Sequence, residues 1–127
     1  MRRILIVDDE PEIGHILGFI LRGAGFEVAV VDSGRAALAQ LASSATDLVL
    51  LDVTMPEIDG FETLRRIREA PATGRLPVLM LTANASAADR TRAQSLGADD
   101  FIAKPFDPAD VVERVRARLG AGDATHN

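Results

Sequence analysis

The 127-residue chain has no cysteine and only two histidines. The first absence removes disulfides, thiol catalysis and thiolate metal sites, and two scattered imidazoles do not make a zinc centre. Any metal must therefore be held by oxygen. No apolar run approaches the ~20 residues a membrane span requires. Met1-Arg2-Arg3 leads straight into a strand-like segment with no cleavable signal pattern, so a cytoplasmic protein without membrane contact is expected. Basic charge is in deficit as well. A net charge of -5 is the reverse of a nucleic-acid footprint, and no direct nucleic-acid binding is expected. What remains, 47% hydrophobic and 26% charged residues, is the composition of one ordinary globular domain.

The chain is organised around Leu48-Val49-Leu50-Leu51-Asp52. A continuous branched apolar run that stops on a carboxylate and then turns reads as a strand buried on both faces, with Asp52 at its carboxyl end. Four segments repeat the pattern: Arg3-Ile4-Leu5-Ile6-Val7 before Asp8-Asp9-Glu10, residues 26–31, residues 77–81 before Thr82-Ala83-Asn84, and residues 101–103 before Lys104-Pro105. Each is followed by a helical pattern. The expectation is an α/β fold, a doubly wound parallel sheet of five strands with five helices. Glu27 interrupts the second strand and the fifth is short, so these two look like edges.

Pro11 opens the first helix, whose buried face is predicted at Ile13, Ile16, Leu17, Ile20 and Leu21, with His15 outside it and Gly23 and Gly25 closing it. Ser33 caps the second helix. Asp59 with Glu62, and Ser86 with Asp89, have the spacing of capping boxes for the third and fourth. Phe61, Leu64 and Ile67 are predicted to face inward, with Arg65, Arg66 and Arg68 in solvent or docking an acidic partner. The fourth helix offers only Ala85, Ala88, Ala93 and Leu96 to the core, which predicts weak anchoring and a capacity to shift. Asp107 and Pro108 start the fifth, Val111, Val112, Val115 and Leu119 line it, and Gly120 ends it. Residues 1–120 then form the domain, and 121–127 a disordered tail or linker stub.

If the strands are parallel, one edge of the sheet collects Asp8, Asp9, Asp52, Thr82 and Lys104. Singly each has an ordinary explanation: Asp8 and Asp9 could cap a helix, Thr82 could end a strand, Lys104 could be a solvated charge. Together they weigh differently. Crowded carboxylates stay ionised only beside a cation. With no sulfur and no nearby imidazole that cation is a hard one, and Mg²⁺ prefers a few carboxylates, waters and a phosphate oxygen. Asp52 can attack phosphorus as a carboxylate nucleophile. Mg²⁺, the Lys104 ammonium, and the Thr82 hydroxyl with a turn N–H at Ala83 would then meet the three phosphoryl oxygens.

These residues carry a family resemblance. Ile4-Leu5-Ile6-Val7-Asp8-Asp9-Glu10, Leu50-Leu51-Asp52-Val53-Thr54-Met55-Pro56-Glu57-Ile58-Asp59-Gly60, Leu81-Thr82-Ala83 and Gly97-Ala98-Asp99-Asp100-Phe101-Ile102-Ala103-Lys104-Pro105-Phe106 resemble the receiver domain of two-component response regulators, over nearly the whole chain. The resemblance implies a flavodoxin-like fold with strand order 2-1-3-4-5. It implies that Asp52 accepts a phosphoryl group from a histidine kinase or phosphotransfer protein, and that Asp8, Asp9, Asp52 and the Thr54 backbone carbonyl hold Mg²⁺. Lys104 would bind phosphate and join Pro105 by a cis peptide, while Thr82 and Phe101 would act as the switch. Thr54 and Asn84 would flank the phosphate. Many relatives have tyrosine where Phe101 stands, so the packing half of that switch is retained without its hydroxyl.

The implied protein reacts only on itself, by self-phosphorylation and autodephosphorylation. It would control a downstream protein or a covalently linked output domain through the fourth helix, fifth strand and fifth helix, with room for a phosphorylation-dependent homodimer. Three rival readings stand beside it. A Mg²⁺-dependent phosphatase with an aspartyl-phosphate intermediate generally has a second Asp two residues after the nucleophile, where this chain has Thr54. A flavodoxin-type cofactor binder needs a hydroxyl- and glycine-rich loop where Asp8-Asp9-Glu10 stands. A receiver that only docks a partner would have no need of the full set of site residues.

Overall fold

The computed structural model describes residues 1–83 and 86–125. The elements are β1 (Arg3–Val7), α1 (Pro11–Gly23), β2 (Glu27–Val31), α2 (Gly34–Ser43), β3 (Leu48–Asp52), α3 (Gly60–Glu69), β4 (Val78–Thr82), α4 (Ala87–Ser95), β5 (Asp100–Ala103) and α5 (Pro108–Thr125). All paired strands run parallel, in the order β2-β1-β3-β4-β5. The flavodoxin-like expectation is met, with the two expected strands at the edges. Among the described residues no helix is long and apolar enough to cross a membrane.

Side chains alternate along each strand, so the sheet feeds two separate cores. Ile4, Ile6, Leu48, Leu50, Leu79 and Leu81 pack with Leu17 and Leu21 of α1 and with Val111, Val115 and Leu119 of α5. On the other face, Leu5, Val7, Val49, Leu51 and Met80 pack with Ala37 of α2 and with Phe61, Leu64 and Ile67 of α3. Every residue of β3 and β4 is buried, which is why both read as unbroken apolar runs.

The helix starts follow the predicted chemistry. Ser33 Oγ accepts from Ala36 N at 3.1 Å, Asp59 Oδ1 from Glu62 N at 2.9 Å, and Ser86 Oγ from Asp89 N at 3.1 Å. The return half of the α3 box is replaced, because the Glu62 carboxylate instead accepts from Arg65 Nε at 2.9 Å and Arg66 Nε at 2.8 Å.

Three local expectations are corrected. The buried face of α1 centres on Gly14, Leu17, Gly18 and Leu21, leaving Ile16 46% and Phe19 78% exposed. The cause is close approach: a Cβ on Gly14 would lie 2.7 Å from Val30 Cγ1, so the glycines let α1 settle toward β2 and turn Ile16 outward. Arg68 is not a solvating charge. Its guanidinium donates to Leu76 O at 2.7 Å, Gly97 O at 2.9 Å and Asp99 Oδ2 at 3.1 Å, tying α3 to the starts of β4 and β5. Finally, α5 continues past Gly120 to Thr125: a helical glycine costs only ~1 kcal/mol against alanine, and neither Gly120 nor Gly122 ends the helix.

The predicted poverty of α4 is observed. Ala93 is its buried residue, Leu96 is half-buried and Ala88 is exposed, while Asn84 and Ala85 lie outside the described residues. Two cations compensate. The Arg92 guanidinium stands 4.3 Å above the Phe61 ring and that of Arg90 stands 5.2 Å from the Phe101 ring.

Candidate functional site

The parallel register delivers the polar residues to one rim. Val7 pairs with Leu51, so the next step along each strand sets Asp8 beside Asp52. Asp52 pairs with Leu81 and Thr82 with Ala103, so Lys104 leaves the sheet just beyond Thr82. Main-chain bonds hold these ends, from Val53 N to Leu81 O at 2.9 Å and from Lys104 N to Thr82 O at 2.7 Å. Asp8 is fixed at both ends: its N–H donates to Val31 O at 3.1 Å, and its Oδ1 accepts from Glu10 N at 2.9 Å.

Four of the predicted site residues meet. Carboxylate oxygens of Asp8, Asp9 and Asp52 lie within 4.8 Å of one another. Lys104 Nζ donates to Asp8 Oδ2 at 3.1 Å and to Asp52 Oδ1 at 3.3 Å. The Lys104 side chain is only 11% exposed, so the reading of it as a solvated surface charge is set aside. Nor do Asp8 and Asp9 cap α1. Glu10 holds the N-cap position, and no side chain caps it.

The charge balance within the cluster is uneven. Burial, followed by repulsion from Asp8, pushes the Asp52 carboxyl up to about 6, against the opposing pull of Lys104. For Lys104, burial disfavours the charged form, but bonds to Asp8 and the field of Asp52 outweigh it and the pKa rises. Three carboxylates share one buried ammonium, leaving a negative excess that a hard cation would neutralise. An octahedral ion with ~2.1 Å bonds sets its oxygens up to ~4 Å apart, and the three carboxylate oxygens gather within 4.8 Å, so the donor set suits a hard cation such as Mg²⁺.

The remaining predicted residues line the same edge. Thr82 is buried at the end of β4, with exposed Ala83 after it, and Thr54 is exposed in the loop that follows Asp52. Phe101 is 8% exposed in β5, opposite Met80. The Lys104–Pro105 peptide is cis.

Sequence reasoning missed two participants. Glu10 Oε1 accepts from Lys104 Nζ at 3.3 Å, although its place in the Asp8-Asp9-Glu10 run was a visible signal. Gly60, quoted only within the Leu50-to-Gly60 stretch of the family resemblance and given no role there, backs the main chain of Asp52. A cleft of about 570 Å³ between α1, β2 and α2, lined by Pro11, Gly14, His15, Val30 and Ala36, reaches the site only at Asp8.

The sequence pattern of the response regulator receiver domain matches residues 4–116. The DNA-binding response regulator MtrA of Mycolicibacterium smegmatis is 42% identical over 118 residues, which cover 93% of this chain and 50% of MtrA. The chain spans about half the length of the curated relatives it matches. Among solved structures, the chemotaxis protein CheY4 of Vibrio cholerae superposes with a TM-score of 0.89 at 32% identity, covering 92% of this chain and 98% of that one. The response regulator TrrA of Thermotoga maritima, solved in complex with Mg²⁺–BeF, has a TM-score of 0.83 at 33% identity, covering 93% of this chain and 99% of its own. With the strand order, the acid cluster and the lysine all in accord, this chain belongs to the receiver domain family of two-component response regulators.

Proposed function

We propose that Asp52 is the phosphoacceptor of a phosphorylation-dependent switch, and that Lys104, which bonds Asp8 and Asp52 together, is the observation that carries the assignment. At neutral pH a carboxyl of pKa about 6 is mostly ionised and nucleophilic. One of its oxygens attacks phosphorus while the bond to the leaving group breaks, and the electron pair departs with that group. The donor is a phosphohistidine of a histidine kinase or of a phosphotransfer protein. Lys104 gives up its bond to Asp52 Oδ1 and donates to a phosphoryl oxygen. The Thr82 hydroxyl and the Ala83 N–H serve another oxygen.

Asp8, Asp9, Asp52 and the Thr54 carbonyl are the residues that would hold Mg²⁺, and the Mg²⁺–BeF complex of TrrA supports this choice of ion. When bound, the ion supplies neutralisation of phosphoryl charge at the rim.

The output follows from packing. Movement of Thr82 toward the phosphate opens space beside β4, and Phe101 adjusts to fill it. The Phe101 ring lies under Arg90, so α4 follows, altering the α4, β5 and α5 surface. That surface would act in the cytoplasm on a downstream protein, a linked output domain or a second copy of the chain. MtrA is a DNA-binding regulator, and nucleic-acid binding is assigned to such an output part and not to this acidic domain. Family membership does not favour the phosphatase reading.

Asp52→Asn tests the assignment. With Mg²⁺ and radiolabelled acetyl phosphate, the wild-type chain should take up one phosphoryl group and the variant none. Stoichiometric labelling of the variant would refute it.

A further inference from the structure

An acid at a helix N-cap ordinarily turns its oxygen onto the first free N–H groups of the helix. Glu10 does not: it occupies the N-cap of α1 with extended backbone (φ -92°, ψ 108°), and its side chain makes no cap bond. It reaches across the rim to Lys104 Nζ instead, at 3.3 Å. An ammonium has three N–H donors. Here they face three carboxylates, those of Asp8, Asp52 and Glu10.

The three acceptors are not equivalent. The side chains of Asp8 and Asp52 are 0% and 5% exposed and belong to the acid cluster, whereas that of Glu10 is 64% exposed and lies outside it. A cation seated among Asp8, Asp9 and Asp52 would draw the first two oxygens away from Lys104, leaving Glu10 as its rival for an incoming phosphoryl oxygen. Glu10 also sets a negative charge at the open side of the site, next to exposed Asp9. The first effect opposes any phosphoryl donor, and the second opposes a doubly charged donor more than a singly charged one.

We infer that Glu10 is a specificity-determining residue for the phosphodonor: its carboxylate competes for Lys104 and repels small dianionic donors at the mouth of the site. The inference rests on the assignment of Asp52 as phosphoacceptor. With acetyl phosphate, a dianion near neutral pH, an oxygen of Asp52 forms the new bond to phosphorus, the bond from phosphorus to the acetyl oxygen breaks, and acetate leaves with the electron pair. With phosphoramidate, which carries its own proton on nitrogen and a single net charge, the phosphorus–nitrogen bond breaks and ammonia leaves. The transferred group is the same while the charge that must pass Glu10 differs.

The test compares Glu10→Gln with wild type and with Glu12→Gln, a control that removes an exposed acid in the first turn of α1. Labelling rates are measured with Mg²⁺ and either donor, at low and high salt. Glu10→Gln should accelerate labelling by acetyl phosphate roughly three- to ten-fold at low salt, the size of effect expected from one nearby partly screened charge. The gain should be smaller with phosphoramidate and should shrink in high salt. Glu12→Gln should leave both rates unchanged. A second readout needs no transfer: in the metal-free protein, Glu10→Gln should tighten binding of acetonylphosphonate, a non-transferable analogue, followed by amide shifts at Asp8 and Lys104. Equal rates for wild type and Glu10→Gln, an equal gain with both donors, or slower labelling would overturn the inference while leaving the phosphoacceptor intact. A wild-type chain that takes no label from either donor would overturn both.

Discussion

Gly60 lies against the main chain of Asp52 so closely that a Cβ there would collide with the Asp52 carbonyl oxygen and stand 2.8 Å from Val53 Cα. The Gly60 N–H donates to Val53 O at 2.8 Å, so the first turn of α3 is bonded directly onto the strand end that carries the nucleophile. Backbone cannot move aside as a side-chain tip can. Gly60→Ala should therefore lower stability by ~1–3 kcal/mol in urea unfolding and slow labelling of Asp52. An alanine variant as stable and as reactive as wild type would show that α3 can shift without disturbing the site.

Asp52 links stability to pH. Burial, then Asp8, raises its folded pKa from 3.8 to about 6, so the folded state binds the proton more tightly than the unfolded chain. That contribution is fully present below pH 3.8 and lost as pH rises through about 6. Above that range the buried charge costs stability, and a neutral amide removes the cost. Metal-free Asp52→Asn should be more stable than wild type at pH 7.5 by up to ~3 kcal/mol, with the gain fading toward pH 4. Added Mg²⁺ should narrow the gap, because it stabilises only a folded state that binds it. Thermal unfolding across this pH range decides the matter, and a gain independent of pH would contradict the account.

Lys104 should show the complementary coupling. Removing it strands the buried carboxylates of Asp8 and Asp52, so Lys104→Met should cost ~3–5 kcal/mol at neutral pH without metal. In the Asp52→Asn background the same change should cost clearly less, since one of the stranded charges is gone. A double-mutant cycle reads the difference, and strict additivity would mean that the pair seen at 3.3 Å contributes nothing.

The arginines around α4 should separate into two kinds. Arg68 serves the carbonyls of Leu76 and Gly97 as well as Asp99, so Arg68→Ala should lower global stability by ~2–3 kcal/mol. Among the described residues the Arg92 side chain covers only the Phe61 ring, and Arg92→Ala should leave global stability nearly intact while amide exchange in α4 speeds up ~2- to 5-fold. Exchange that accelerates equally in α1 and α4 would rule out a local clasp.

Much of the fold could be read in advance because its causes are local. β3 and β4 announce burial on both faces by unbroken apolar runs, and Ser33, Asp59 and Ser86 announce helix starts through bonds that span only three residues. The rim residues were equally legible, since parallel strands separated by helices must gather their carboxyl ends on one side. Ile16 was misplaced because periodicity gives a helix's apolar stripe but not its rotation against a neighbour, which Gly14 and Val30 decide.

The chain by itself thus determined the alternation of elements, the sheet's direction and the delivery of Asp8, Asp9, Asp52, Thr82 and Lys104 to one edge. Only the tertiary structure decided how the charges pair. Whether an arginine meets water or the Gly97 carbonyl and Asp99 carboxylate about thirty residues on, as Arg68 does, and whether an acid serves its own helix or a lysine 94 residues away, as Glu10 does, depends on groups remote in sequence. Charge pairing acts over a few ångströms in space and leaves no period along the chain.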